Sequence, residues 1–161
     1  MKRLIFIFLL FILVSFSISK RNYNFIKDWM GVEYKFGGTT KSGIDCSAFT
    51  KALYDSLYDI KLPRTASQQY KFTKRINKSN LKCGDLVFFK SSYSLSGWHV
   101  GVYISNDSFI QSANKKSGVK ISSLKDNSYR KNYIGGGRVK LDTNHILYQQ
   151  FVEYTNSINN I

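Results

Sequence analysis

The hydrophobic pattern of this 161-residue chain changes its period once, near Leu86, and that change constrains the fold most strongly. Before Leu86, apolar residues recur at helical spacing, as in amphipathic helices that pack on a core. After it, short runs rich in Val, Ile and Phe are separated by Gly, Asn, Asp and Ser, which is typical of strands and turns. Helices followed by strands predict an α+β domain in which N-terminal helices pack on a mainly antiparallel sheet.

The predicted elements follow from these periods and from the residues that end helices. An apolar stripe predicts a helix over 45–58, with Asp45 as its N-cap. A helix over 22–30 is expected to end at Gly31, and paired glycines predict a loop over 34–40. Further predicted elements are a short helix including 67–69 and strands at 86–89, 100–104, 108–111, 119–121 and 137–139.

The first 19 residues predict a secretory signal peptide (1–19). Two basic residues precede an apolar stretch, and small residues fit a cleavage site after Ser19. The stretch from Leu4 to Ile18 has 15 residues, fewer than the roughly 20 that span a bilayer, so a retained anchor is the weaker alternative. We therefore expect a secreted or periplasmic protein with no stable membrane anchor after cleavage.

Beyond the leader, we expect one domain over 20–140 and a polar C-terminal tail over 141–161. The two cysteines, Cys46 and Cys83, are too few for a disulfide scaffold. No cysteine and histidine cluster has metal-binding spacing, so neither a metal nor another cofactor is expected. We expect Cys83 to be a free thiol, because a disulfide with Cys46 would consume the candidate nucleophile.

The chain is strongly basic, with 24 Lys and Arg against 10 Asp and Glu and a formal charge of +14. Such a charge predicts attraction to polyanions: nucleic acid, acidic lipid surfaces or the anionic polymers of a bacterial wall. The basic residues are scattered and match no nucleic-acid-binding motif. We therefore expect a generally solvated basic surface and no nucleic acid partner.

Cys46 is the candidate nucleophile. In the first turn of a helix it meets partly positive N–H groups, which are expected to lower the pKa of its thiol. Of the two histidines, His99 is the candidate base, because it opens the strand-like run 99–103 beside Gly101, whose missing side chain would leave room for a substrate. His145 lies in the polar tail, where solvent exposure is expected. The alternative is that Cys46 is a buried structural cysteine.

Gln111 is the candidate residue that orients the base, since its amide oxygen can accept a hydrogen bond from an imidazole N–H. A three-residue turn over 105–107 would place Gln111 on the His99 face and pair Val102 with Ile110 on the core face. A turn with an even number of residues would place Gln111 against Val102 and bury its amide without a hydrogen-bond partner, at a cost of about 1–3 kcal/mol. We therefore expect the three-residue turn.

Five short motifs of the chain resemble the NlpC family of cell-wall cysteine endopeptidases. The resemblance implies a papain-like cysteine peptidase fold and hydrolysis of peptidoglycan stem peptides between D-glutamate and the following diamino acid. The peptidoglycan stem peptides are thus the expected partners, with anionic cell-wall polymers as further ones. The motifs are GVEYKFGG at 31–38, GIDCSAF at 43–49, LPRT at 62–65, GDLVFF at 84–89 and HVGVY at 99–103.

The resemblance also implies roles for individual residues. Cys46 would be the nucleophile, His99 the base and the residue at 111 the orienting third member of the site. Tyr34 would line the site near the oxyanion. The substrate-binding residues Asp45 and Ser47 would help to hold the free amino end of a short stem peptide.

The chain departs from the family pattern at three positions. Gln111 stands where histidine is usual, Ala48 where glycine is usual and Cys83 where proline is common. A glutamine orients an imidazole but adds no ionic interaction to it. Two alternatives therefore stay open: an amidase or acyltransferase acting on another γ-glutamyl or lipid substrate, and a catalytically weak cell-wall-binding protein.

Overall fold

The computed structural model describes residues 26–92 and 94–140 of the chain. The predicted leader over 1–19 and the predicted tail over 141–161 lie outside these residues. Within the described ranges, no helix has the length and apolar character needed to cross a membrane.

The helices lie close to their predicted positions. Residues 26–29 are helical, and Gly31 follows them with φ of +78°, the left-handed conformation expected at a helix end. Helix α1 spans Cys46–Tyr58 and α2 spans Ala66–Phe72, as the sequence indicated. Helix α3 at Asn127–Asn132 was not predicted, and neither was the 3₁₀ turn at Lys78–Asn80.

All five predicted strands are present; four differ from the prediction by at most two residues at an end, and the last begins at Tyr133, four residues before its predicted start. The strands at Lys74–Ile76 and Gly43–Ile44 were not predicted, and the expected loop over 34–40 contains the strand Thr39–Thr40, which pairs with Gly43–Ile44 in a short hairpin. The strands are β1 (Thr39–Thr40), β2 (Gly43–Ile44), β3 (Lys74–Ile76), β4 (Leu86–Lys90), β5 (Trp98–Tyr103), β6 (Ser108–Ser112), β7 (Val119–Ser123) and β8 (Tyr133–Arg138).

Six of these strands form one sheet in the order β3-β8-β4-β5-β6-β7, and each neighbouring pair in it is antiparallel. Strands β1 and β2 pair separately. The expected α+β architecture with a mainly antiparallel sheet is therefore confirmed.

The sheet buries apolar side chains on both faces. On one face, Val100 and Val102 of β5 belong to the same buried cluster as Phe49 and Leu53 of α1. The other face carries a smaller cluster centred on Phe89, with aromatic rings of β6 and α3 around it. Since strand side chains alternate, neighbouring residues of β5 serve opposite faces.

The turn between β5 and β6 has the predicted length. Val102 pairs with Ile110, and the N–H of Ile104 donates to the carbonyl of Ser108 across a turn over 105–107. Asn106 and Asp107 take φ values of +48° and +63°, which these residue types tolerate better than most. The three-residue turn is therefore confirmed, and it puts Gln111 on the His99 face of the sheet.

The expectation that Gly101 leaves room for a substrate is wrong. A Cβ at this position would lie 2.6 Å from Cδ2 of Phe109 and 2.9 Å from the Ile110 carbonyl oxygen. Gly101 is therefore required by close packing of the aromatic cluster, since the Phe109 ring already fills the space above it.

Candidate active site

Cys46 is the first residue of α1 and its side chain is buried. Burial raises the pKa of the thiol to about 11, and the negative charge of Asp45 adds to the rise. The backbone N–H groups of Val100, Ser47 and Cys46 itself act in the opposite direction. The predicted lowering of the pKa is therefore wrong, because burial outweighs the helix N-terminus. At neutral pH this residue is a thiol, which needs a base to become a nucleophile.

His99 is the second residue of β5 and is 8% exposed. Burial lowers the pKa of its imidazole, and the hydrogen bond to Gln111 opposes part of this effect. The Phe89 ring, 6.1 Å away between centroids, helps to enclose it. The imidazole is therefore neutral at pH 7 and able to accept a proton.

Gln111 is fully buried and its amide group is hydrogen-bonded at both ends. Its Oε1 pairs with Nε2 of His99, as predicted. Its Nε2 donates to Oγ of Ser122 at 2.7 Å and to the hydroxyl of Tyr129 at 2.6 Å. Because Ser122 and Tyr129 accept both hydrogens of the amide nitrogen, the atom of Gln111 that faces the His99 ring is the acceptor Oε1. His99 Nε2 must then be the protonated nitrogen that donates to it. The lone pair of Nδ1 is then available to act as a base.

Ser122 and Tyr129 are components of the site that the sequence analysis missed. Ser122 lies on β7, opposite β6, and Tyr129 comes from α3. Neither residue belongs to a motif, and α3 itself was not predicted. Only the packing of α3 beside the sheet brings the Tyr129 hydroxyl to the amide of Gln111.

The Cys46 thiol lies beside the strand that carries the His99 imidazole. The N–H of Val100, the residue after His99, lies against the Cys46 sulfur. Among the described residues, no hydrogen bond joins the Cys46 sulfur directly to the His99 ring. Such bonds are often long in enzymes without bound substrate and shorten when the substrate is present.

The carboxylate of Asp45 stabilises the start of α1. As predicted, Asp45 is the N-cap, and its Oδ1 accepts from the N–H of Ala48 at 2.8 Å and from Oγ of Ser47 at 3.0 Å. Its Oδ2 accepts from the N–H of Gly37 at 3.1 Å. The carboxylate therefore connects the loop before α1 to the helix that carries the thiol.

Arg64 completes this arrangement with a bidentate ion pair. Its Nη2 lies 2.7 Å from Oδ2 of Asp45, and its Nη1 lies 3.1 Å from both Oδ1 of Asp45 and Oγ of Ser47. Burial alone would raise the pKa of Asp45, but the hydrogen bonds from Arg64 and Ala48 hold it below its ordinary value. Arg64 was not predicted as a site residue, although it lies in the LPRT motif.

The buried amide of Gln69 fixes the segment that carries Arg64. Its Nε2 donates to the carbonyls of Ser47 and Pro63, each at 2.9 Å. Its Oε1 accepts from the Thr50 hydroxyl at 2.8 Å. This side chain therefore joins α2, the first turn of α1 and the residue before Arg64.

Tyr34 lies near the start of α1, where it forms a β-bridge with Ile44. Burial, followed by the charges of the Cys46 thiolate and Asp45, raises the pKa of its phenol to about 12. The hydroxyl is therefore protonated at neutral pH. It is available as a hydrogen-bond donor near the thiol.

The raised pKa of Cys46 predicts a loss of stability at alkaline pH. The unfolded thiol ionises near its ordinary value of 9.0, whereas the folded thiol ionises near 11. The free energy of unfolding should therefore fall by about 2 kcal/mol as pH rises from 9 to 11, relative to Cys46→Ser, which has no thiol to ionise. Urea unfolding of both proteins across this pH range measures the difference. Parallel pH profiles for the two proteins would contradict the prediction.

Across the part of the chain that the structure describes, no group of three or more His, Cys, Asp or Glu side chains is arranged to hold a metal ion. Cys46 and Cys83 form no disulfide with each other.

The chain has clear relatives among known proteins. The NlpC/P60 family profile matches residues 31–138. A Haemophilus influenzae protein named probable endopeptidase NlpC homolog is 44% identical over 70% of this chain and 58% of its own length. An Escherichia coli protein named murein DD-endopeptidase MepS/murein LD-carboxypeptidase is 42% identical, with the same two coverages. The chain thus spans less than two thirds of the length of these two relatives.

A solved structure supports the same assignment. The crystal structure of an NlpC/P60 family protein from Bacillus cereus matches with a TM-score of 0.65 and 31% identity. The match covers 74% of this chain and 39% of that one. The family profile covers most of the chain, including Cys46 at the start of α1 and His99 on β5. The chain therefore belongs to the NlpC/P60 family.

Proposed function

We propose that the protein is an exported cysteine peptidase that hydrolyses peptide bonds of peptidoglycan. One observation carries the proposal: a thiol at the start of α1 lies beside the strand of a neutral imidazole whose ring Gln111 holds in place. Membership of the NlpC/P60 family and the names of the relatives support it. So does the basic surface, because peptidoglycan peptides carry carboxylates.

In the first chemical step, Nδ1 of His99 takes the proton of Cys46 as the sulfur attacks the amide carbonyl. The raised pKa of the thiol favours transfer of this proton during the attack over a preformed thiolate. The negative charge that develops on the carbonyl oxygen is stabilised by backbone N–H groups at the start of α1 and by the Tyr34 hydroxyl.

In the second step, the imidazolium of His99 donates its proton to the leaving amine, and the carbon–nitrogen bond breaks. Water, with His99 again as base, then attacks the thioester and releases the acid and the thiol. Gln111 keeps the ring in one orientation through both proton transfers.

Asp45 and Ser47 are proposed to face the amino end of the stem peptide. The Asp45 carboxylate already accepts five hydrogen bonds, against about four lone-pair positions on its two oxygens. A substrate ammonium therefore binds Asp45 only by displacing one of these donors. Of the two side-chain donors, Ser47 and Arg64, Arg64 is the more exposed, with 39% of its side chain accessible.

Within the stem peptide, we propose cleavage between D-glutamate and the diamino acid. The name of the Escherichia coli relative, a murein DD-endopeptidase, favours a second candidate, which is a DD bond of the murein. The two bonds give different products and are separated by one experiment.

That experiment is digestion of purified muropeptides by the protein, followed by mass spectrometry of the fragments. Cleavage after D-glutamate shortens each stem and leaves glutamate at its new end. Cleavage of a DD cross-link converts dimers into monomers with intact stems. In a second digest that also contains a free amine, fragments joined to that amine would identify an acyltransferase. An absence of new fragments in either digest would contradict the proposed activity.

Replacement of Gln111 by alanine should lower kcat by about 10- to 100-fold with little change in KM, because the imidazole loses its fixed orientation and the hydrogen bond that partly offsets the lowering of its pKa. Gln111→His should retain activity, since an imidazole nitrogen accepts the same hydrogen bond. Steady-state kinetics on a purified muropeptide measure both variants. An unchanged kcat in Gln111→Ala would show that His99 is oriented by other groups.

A further inference from the structure

The Gln111 amide has different numbers of partners at its two ends. At one end it meets a single partner, Nε2 of His99. At the other end it meets two hydroxyl groups, Oγ of Ser122 at 2.7 Å and the phenol of Tyr129 at 2.6 Å. The side chain of Gln111 is closed to solvent. Among the described residues, its hydrogen bonding therefore depends on these three groups.

This difference selects one of the two orientations of the amide. An amide nitrogen has two hydrogens to donate, and a hydroxyl either accepts or donates, so the number of partners decides the orientation. With the nitrogen beside the two hydroxyls, both of its hydrogens have an acceptor. After a half-turn of the amide, the nitrogen would face His99 and one hydrogen would be buried without a partner. Such a buried, unpaired donor disfavours the turned amide by at least about fivefold.

The orientation of the amide determines which nitrogen of His99 carries the ring hydrogen. An oxygen that faces the ring accepts a hydrogen from Nε2 and leaves Nδ1 with a lone pair. A nitrogen that faces the ring would donate to Nε2 and so place the ring hydrogen on Nδ1. In the mechanism above, Nδ1 takes the proton of Cys46. A ring in the second tautomer therefore has no lone pair to offer the thiol.

Tyr129 supplies one of the two hydroxyls, and packing holds that hydroxyl in place. The Tyr129 ring lies against Phe89 and Phe109, with centroids 5.2 Å and 5.0 Å away. Of the residues of α3, Tyr129 is the one that joins this aromatic cluster. Without its hydroxyl, the amide would have one partner at each end, and the preference for one orientation would disappear.

We propose that Tyr129 is a positioning residue for the base: as the second acceptor for the amide of Gln111, it keeps His99 in the tautomer with a free Nδ1. Ser122 supplies the other acceptor and acts in the same way. The predicted effect on turnover rests on the proposed function. The tautomer of His99 does not, because it is a property of the protein without substrate.

NMR of protein labelled with nitrogen-15 histidine measures the tautomer directly. Long-range correlations between ring hydrogens and nitrogens distinguish a protonated nitrogen from an unprotonated one. The parent protein carries His145→Ala, which leaves His99 as the single histidine. At about pH 8 its ring is neutral, because burial lowers its pKa below the ordinary value of 6.5. We expect the form protonated on Nε2 to exceed the other by at least about fivefold.

Tyr129→Phe keeps the ring and removes the hydroxyl. The ratio of the two tautomers should fall to about one, and kcat on a purified muropeptide should fall by about twofold at unchanged KM. Ser122→Ala removes the other acceptor and should give a similar ratio. In a Gln111→Ala background, Tyr129→Phe should change neither the ratio nor kcat, since the amide that transmits its effect is absent.

Tyr133→Phe is the matched control. The Tyr133 ring also packs on Phe89, at 5.8 Å between centroids, but its buried hydroxyl has no hydrogen-bond partner among the described residues. This variant should keep the tautomer ratio of the parent protein.

Four results would overturn the proposal: a parent protein without an excess of the Nε2-protonated form, an unchanged ratio in Tyr129→Phe, an equal change in Tyr133→Phe, or an effect of Tyr129→Phe that persists without Gln111. If the ratios change as expected but the parent protein hydrolyses no muropeptide, the role of Tyr129 stands and the proposed peptidase function is contradicted. The two proposals therefore fail separately.

Discussion

Replacement of Cys46 by alanine should reduce peptidoglycan hydrolysis by at least about 1,000-fold, because no other group can form the thioester. The fold should survive, since the change removes one sulfur atom and leaves the N-cap of α1 intact. We expect a stability loss of about 1 kcal/mol or less. Fragment analysis of muropeptide digests measures activity, and urea unfolding measures stability.

Cys83→Ala is the matched control for this variant. Cys83 is the other cysteine of the chain and is partly exposed, so the same change tests for a general effect of losing a thiol. Its activity should equal that of the wild type, with or without reductant. Appreciable activity in Cys46→Ala, or an equal loss in Cys83→Ala, would contradict the assignment of the nucleophile.

Replacement of His99 by alanine should lower kcat by about 100- to 10,000-fold, which is the usual contribution of a general acid and base. In this protein the effect should lie at the upper end. With a pKa of about 11, the Cys46 thiol supplies very little thiolate at neutral pH unless a base assists it. Activity of the variant should therefore rise with pH well above neutrality, where the thiol begins to ionise by itself.

His145→Ala is the control, since it removes the other histidine of the chain. It should hydrolyse muropeptides at the wild-type rate. His99→Asn tests whether a loss comes from packing, because it keeps a polar group beside Gln111 without providing a base. An essential His145, or an active His99→Asn, would rule out His99 as the base.

Local sequence patterns were sufficient for the elements that carry the site. The stripe of apolar residues in α1 has the helical period, and Asp45 precedes it as an N-cap, so the position of Cys46 in the first turn was predictable. The register of β5 and β6 was predictable because only one turn length keeps both Ile110 and Gln111 on suitable faces. Both predictions rest on interactions between residues close together in the chain.

Long-range packing decided the rest. Arg64 reaches Asp45, 19 positions away, because Gln69 holds the intervening segment against α1. Tyr129 reaches Gln111 from a short helix with no buried residue, and such a helix leaves no hydrophobic period to detect.

The sequence by itself determined the helix and strands that carry Cys46, His99 and Gln111, the length of the turn between β5 and β6, and the residue types available for chemistry, because short-range periodicity and turn geometry control these features. Only the tertiary structure decided the electrostatic state of the site. Whether the N-terminus of α1 or burial controls the pKa of Cys46 depends on how completely the packed sheet excludes water from the thiol, and that degree of burial exists only in the assembled fold.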